Sequence, residues 1–471
     1  MLQNTRAVHS YFTGEPPVFT IQPMKPLKIG ITGVRGIVGE TLTPELIIEF
    51  AQAFGTYFDG GKMLVGRDPR SSGLMVRSAV ISGLMASGCE VIDLGICPTP
   101  SLQLAVKFLN ASGGISITAG HNPAAWNALK FIRGDGLYLN SMQAEELLDI
   151  YHQGEFRKTR HDGIHPTIGT FSALENHLNI LKKAFDVEVI KARKLTVAID
   201  CCNGACSVFA PRWLEELGCT VLALNDDLTA PFPHSPEPKP ETMAQLRAVV
   251  KAGKADIGFA LDANGERLGI VTESGEPLSE ELTLAIATEI KLRQKSGTVV
   301  THLSTSAMIE KIAQRHQSKV IRTPVGQAYI SEAMLENNAV IGGEGNGAIV
   351  LPEVHCTNDS AAAIGLILGH LAATGEKISD VVKRLPKVFM LKRNLQITPQ
   401  LLFSKLQAVR KEIAASDALT TDLSDGIKLI WNDGWLHFRA SNTESMIRII
   451  AEADTEERAQ ELFNWALDCV K

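Results

Sequence analysis

Short apolar runs alternate along the chain with longer stretches in which apolar residues recur at helical spacing. KMLVG (62–66) leads into RDPRSSGLMVRSAVISGLMASG, and LTVAID (195–200) leads into CCNGACSVFAPRWLEELG. GCEVIDLG, GCTVLAL and AVIGG each follow a helix-like stretch. Brief apolar runs closed by Gly, Asn or Asp read as strands, and the longer periodic stretches read as helices. The alternation predicts α/β layers repeated as domains of roughly 100 residues.

The pattern breaks at YHQGEFRKTRHDGIHPTIG (151–169), TESGEPLSEE (272–281) and KRLPKVF (383–389). These breaks divide the chain into units 26–160, 161–275, 276–386 and 387–471, after an N-terminal extension of residues 1–25. APFPHSPEPKPETM (230–243) is proline-rich, but a helix-like pattern follows at once. It reads as an ordered loop inside the second unit rather than as a linker.

Composition narrows the class. A chain of 471 residues is too long for a single hydrophobic core. With 45% hydrophobic and 21% charged residues it has ordinary globular composition, and no apolar run approaches the roughly 18–20 residues that span a bilayer. No membrane partner is expected. The N-terminus lacks the features of a secretory signal, and the eight cysteines form no C-x-x-C pair, so reduced thiols and a cytoplasmic location are expected. A net charge of -6 supplies no general attraction to nucleic acid. Anion recognition must therefore be local.

Five loops carry candidate chemistry. IGITGVRGIVG (29–39) surrounds Arg35 with glycines, which suits either a close backbone approach to an anion or a structural hairpin. Nearby VGRDPRSSG (65–73) follows a strand, and Arg67, Asp68 and Arg70 read as a salt-bridged domain hinge. ITAGHNPAAWNALK (117–130) gathers His121, Asn122, Asn127 and Lys130 in what reads as a turn and a helix start, either an anion and proton-transfer site or a capped turn.

GFALDANGERLGIV (258–271) spaces Asp262, Asn264 and Glu266 as oxygen ligands for a small hard cation, or forms an acidic β-turn. IGGEGNGAIV (341–350) offers Glu344 and Asn346 for adjacent hydroxyls. FRASNTESMIRII (438–450) crowds Arg439, Ser441, Asn442 and Thr443 into one turn, which suits a phosphate monoester or a helix cap.

In this order, two in the first unit and one in each of the others, and with the connecting phrases ICPTPSLQLAV, DCCNGACSVFAP and PFPHSPEPKPETM, the loops resemble those of the α-D-phosphohexomutase superfamily from Lys28 to the C-terminus. The resemblance implies three similar α/β domains and a smaller C-terminal α+β domain around a central cleft. It also implies a phosphorylated sugar as ligand and Mg²⁺ held by a phosphoserine and three aspartates. Arg35, Asn122, Arg267, Glu344, Asn346, Arg439, Ser441, Asn442 and Thr443 fall on its substrate-binding positions. Lys130 falls on its proposed acid/base position and His121 on a substrate-contact position, both being candidates for catalysis, and no organic cofactor is implied.

The phosphoryl-carrying positions depart from that pattern. Gly120 stands where the family has its serine, and Asp262, Asn264 and Glu266 stand where it has three aspartates. A phosphoserine with three aspartates presents roughly -5 to a cation, counting about -2 for the phosphate; Asp262 and Glu266 present about -2. Mg²⁺ binding is expected to be weakened or absent. Loss of a covalent nucleophile costs on the order of 10⁶ in rate in a well-studied hydrolase, so ordinary mutase activity is expected to be absent or very low.

Three readings follow, in order of preference. The first is a phosphosugar enzyme with chemistry other than the phosphoserine relay. The second is a catalytically silent phosphosugar-binding regulatory protein, and the third is a phosphoglucomutase/phosphomannomutase with a substitute phosphoryl carrier. A monomer and a homodimer remain equally open.

Overall fold

The computed structural model describes residues 27–470 except 31–32, 168, 170, 398–400, 402–404, 406, 408, 411–417 and 441–445. The extension 1–25 therefore lies outside the described residues. Four sheets follow one another along the chain. The first has six strands, in the order Lys28–Gly30, Gly33–Ile37, Trp126–Arg133, Gly113–Ile117, Gly61–Arg67, Cys89–Ile96. Its helices Pro44–Tyr57 and Gly73–Ala86 pack together, with Phe50, Phe54, Val80 and Leu84 buried beneath them.

The second sheet orders Leu268–Thr272, Ile257–Leu261, Thr196–Asp200 and Thr220–Leu224. The third orders Val320–Thr323, Val299–His302, Ile341–Glu344, Ala348–Leu351 and His355–Asn358. Both mix parallel and antiparallel pairs, and Ile257–Leu261 is buried along its whole length. The fourth sheet is antiparallel and packs against the helix Glu456–Cys469. This is the expected architecture of three α/β layers and a C-terminal α+β layer.

The second and third layers share one hydrophobic core. The helix Ser360–Thr374 supplies the reason: Ala, Ile, Leu and Gly cover most of its circumference, and it is buried on nearly every face. Trp213 of the second layer donates Nε1–H to Ala361 O of this helix at 3.2 Å. Among the described residues no helix is long and apolar enough to cross a membrane.

The stretch after Gly120 differs from the sequence reading. Trp126–Arg133 is a strand, not a helix start, and pairs antiparallel with Gly113–Ile117 so that Lys130 faces Ser116. It lies between two other strands with residues 127–132 all buried. A strand covered on both faces lacks the alternation that distinguishes it from a helix in sequence. Arg439 likewise sits on a strand, Gly434–Ala440, which pairs antiparallel with Met446–Ala453; residues 441–445 lie outside the described residues.

Candidate functional site

Gly120 lies in a turn pinned from below. Thr118 Oγ1 accepts the Gly120 N–H at 2.9 Å and donates to Asp68 Oδ2 at 2.6 Å. Asp68 holds Arg70 through Nε, and Arg70 in turn donates to the carbonyls of Gly120 (3.0 Å) and Trp126 (2.6 Å). Both ion-pair side chains are fully buried. The expectation of a domain hinge at 67–70 is thus corrected: Asp68 and Arg70 brace the Gly120 turn within one layer. Spacing along the chain did not show which carbonyls the guanidinium would reach.

Gly120 has φ +54°, in the left-handed region. A Cβ at this position would point at the facing loop, 3.2 Å from Asn264 Oδ1 and 3.8 Å from Asp262 Oδ2. Position 120 and the 262–266 loop therefore form one locus, although they lie more than a hundred residues apart.

That loop is largely satisfied by protein groups. Asp262 Oδ1 accepts the backbone N–H of Glu266 (2.9 Å) and of Arg267 (3.2 Å). Glu266 forms a buried ion pair with Lys130 Nζ, accepts from Asn264 Nδ2 at 2.8 Å, and accepts from the buried Tyr138 hydroxyl. Burial pushes the Glu266 carboxyl up, but the Lys130 ammonium and these hydrogen bonds outweigh it and hold the group below its ordinary range. Asp262 is pushed up to about 6, by burial first and by the Glu266 charge second.

The residues do not fit a resident Mg²⁺. Magnesium demands near-octahedral oxygen ligands at about 2.0–2.1 Å. Glu266 is already committed to an ammonium, and position 264 presents a neutral amide rather than a carboxylate. Among the described residues no three His, Cys, Asp or Glu side chains converge as a metal-binding group. With Lys130 counted, the two carboxylates and one ammonium leave a net charge of about -1.

A cationic cleft of about 500 Å³ opens beside this locus. Lys28, Arg35, Lys239, Arg439 and Arg448 line it against one carboxylate, Glu237, with His121 and Asn122 between them. Five cations against one lining carboxylate make a locally positive cleft on a chain that is acidic overall. Arg35 donates to Asn122 Oδ1 at 2.7 Å. Arg267 pairs with Glu237 at 2.9 Å, and its Nη2 lies 3.5 Å from His121 Nε2. Burial, and then the charges of Arg267, Arg35, Lys130 and Lys239, hold His121 well below the ordinary imidazole range, so it is neutral at pH 7.

Glu344 and Asn346 lie together at the third layer, Asn346 Nδ2 donating to Glu344 Oε2 at 3.0 Å. His302 Nε2 stands 3.6 Å from the same oxygen, and burial raises the Glu344 carboxyl. The loop meets the 262–267 loop directly, since Leu268 N–H donates to Gly347 O at 3.0 Å. Arg439 is held by both oxygens of Asp425, at 3.0 and 2.9 Å. Ser441, Asn442 and Thr443 lie outside the described residues.

The structure thus gathers Arg35, His121, Asn122 and Arg439 at one cleft, sets Arg267 against two of its lining residues, Glu237 and His121, and pairs Lys130 with Glu266. Sequence reasoning missed Tyr138, Glu237, Lys239, Lys28 and His302. Glu237 and Lys239 sit in the proline-rich segment, where no periodicity marks a side chain as facing a site. Tyr138 reads as an ordinary core aromatic.

Comparison with known proteins gives the geometry a context. Models described as phosphoglucomutase/phosphomannomutase alpha/beta/alpha domains I, II and III match residues 26–158, 175–275 and 279–389, and the C-terminal domain model matches 401–465. The chain is 37% identical over 441 residues to a phosphoglucomutase/phosphomannomutase of Thermococcus kodakarensis, covering 92% of this chain and 96% of that one. It is 34% identical to a probable phosphoglucosamine mutase of Methanopyrus kandleri, covering 94% and 97%. Its fold matches a phosphoglucomutase/phosphomannomutase family protein of Burkholderia thailandensis with TM-score 0.82 at 23% identity, covering 94% and 97%.

Proposed function

This chain belongs to the phosphoglucomutase/phosphomannomutase family of the α-D-phosphohexomutase superfamily, and on that premise we propose that it holds a phosphorylated sugar in its cationic cleft and acts on it without a phosphoserine relay. One observation carries this reading. The position that would hold the phosphoryl carrier is a glycine facing a loop whose last carboxylate is neutralised by Lys130, while the cationic cleft beside it is intact.

In this reading Arg35, Arg267 and Lys239 hold a phosphate near His121, through planar forks and a point charge. Arg439, with Ser441, Asn442 and Thr443, takes the other end of the ligand, and Glu344 and Asn346 meet its hydroxyls. Neutral His121 accepts a proton at pH 7. Lys130, 7% exposed, is held by Glu266 beneath the reacting end. The chemistry is proton transfer on a bound phosphosugar.

The test is phosphorus NMR with mass spectrometry on glucose, mannose and glucosamine 1- and 6-phosphates, with and without glucose 1,6-bisphosphate, Mg²⁺ and chelator. Conversion that ignores chelator and bisphosphate is expected, and His121→Gln should lower kcat by about 10²-fold or more. Phosphate migration that requires bisphosphate would replace this reading with a mutase using a substitute carrier. Saturable binding with no conversion would replace it with a silent phosphosugar-binding regulatory protein, a reading favoured by how completely Glu266 is occupied by Lys130, Asn264 and Tyr138.

A further inference from the structure

His302 closes the strand Val299–His302 of the third layer and turns its ring toward Glu344. Its two nitrogens are provided for differently. Nδ1 accepts the Ser304 N–H at 3.2 Å, and Thr305 Oγ1, itself the acceptor of the Gly345 N–H, lies 3.1 Å from the same atom. A ring nitrogen that accepts a backbone N–H carries no proton of its own. Burial, and then the charge of Arg322, lower the imidazole to about 3, so the ring is neutral at pH 7 and its one proton sits on Nε2.

That Nε2–H is a donor without an acceptor. Glu344 Oε2 lies 3.6 Å away, beyond hydrogen-bond reach, and Nε2 has no other partner among the described residues. The His302 and Glu344 side chains keep 8% and 12% of their surface, and Nε2 is not among the atoms closed to solvent. Glu344 is the complement: Oε1 accepts from Asn358 Nδ2 at 3.4 Å and Oε2 from Asn346 Nδ2 at 3.0 Å, so each oxygen keeps a lone pair. Arg439, which lines the cationic cleft, acts on His302, and Arg267, which lies against the cleft's His121, acts on Glu344. The pair therefore stands beside the cleft.

We propose that His302 is a specificity-determining residue, whose Nε2–H donates to one ligand hydroxyl oxygen while Glu344 Oε2 accepts from the hydroxyl next to it. Neighbouring ring hydroxyls stand about as far apart as two hydrogen-bonded oxygens, so a donor and an acceptor 3.6 Å apart can each take one. The site then reads a vicinal diol rather than any small phosphate ester. A deoxy position offers His302 no lone pair and leaves its N–H desolvated and unpaired, which is the costly case. The proposal rests on the phosphosugar reading and deepens it, since it names the group on the sugar that is read.

Titration calorimetry of the full chain with glucose 6-phosphate and its 2-, 3- and 4-deoxy analogues, with wild type beside His302→Ala, tests it. Two analogues deoxygenated at neighbouring carbons should bind the wild type at least about tenfold more weakly than the parent sugar. His302→Ala should weaken the parent by about tenfold, and one of those two analogues should lose nothing further while the other keeps its penalty. The wild-type series decides the matter alone if His302→Ala does not fold. A wild type that binds glucose 6-phosphate and tolerates every deoxygenation overturns the proposal, as does a folded variant with unchanged affinity or with equal losses for all four ligands. No saturable binding of glucose 6-phosphate overturns the phosphosugar reading and this proposal with it.

Discussion

Gly120 shows how far one residue commits its surroundings. Restoring serine there looks like a single hydroxymethyl addition, but the backbone has φ +54° and Asn264 Oδ1 waits 3.2 Å from the new Cβ. A side chain in the left-handed region costs roughly 1–2 kcal/mol. Gly120→Ser should therefore lower the melting temperature by a few degrees. It should also stay unphosphorylated when incubated with glucose 1,6-bisphosphate and Mg²⁺, because the facing loop is neutralised by Lys130. Intact-mass spectrometry reads the result: a gain of one phosphate in this single variant would show that the loop still supports the relay.

The proline-rich loop at 230–243 is the element that brings Glu237 and Lys239 to the cleft. His234 ties it down, with Nε2 at 2.9 Å from Asp200 Oδ2 and Nδ1 at 2.9 Å from Ser235 O. Burial opposes the charged ring, but Asp200, Cys202 and the Ser235 carbonyl more than offset it and push the imidazole up to about 11. A folded value above the unfolded value near 6.5 means the stabilisation is complete below about pH 6.5 and is lost as pH rises toward about 11. Urea unfolding at pH 6.5 and pH 9.5 should show the wild type losing stability with pH, whereas His234→Gln should lack this component and be weakened mainly at the lower pH. Equal losses at both pH values would mean that the ring is not charged in the folded protein.

At the scale of the whole molecule, three layers meet at a buried chain of Ser101, His177 and Asp359. Ser101 Oγ lies 2.8 Å from His177 Nδ1, and His177 Nε2 lies 2.8 Å from Asp359 Oδ2. The residue types and order suit nucleophilic catalysis, but all three are almost fully buried, so no substrate reaches the hydroxyl. The chain instead ties one helix of the first layer to the second and third. His177→Ala should cost roughly 2–6 kcal/mol, since each of the two buried partners left unsatisfied costs about 1–3. Denaturant unfolding checks it, and a loss below about 1 kcal/mol would mean that the layers are held by their shared apolar core alone.

The layer architecture was legible along the chain because apolar periodicity is a local property, repeated from Gly61–Arg67 to Glu456–Cys469. So were the identities of Gly120, Asp262, Asn264 and Glu266, from which the expectation of a lost phosphoryl carrier was drawn. Tertiary structure decided what those positions face. Lys130 reached Glu266 across 136 residues of chain, Arg70 braced a turn instead of a boundary, and Trp126–Arg133 became a strand once it was covered on both faces. These are contacts between distant segments, and a buried charge takes its meaning from the partner that folding brings to it, which no spacing along a single chain encodes.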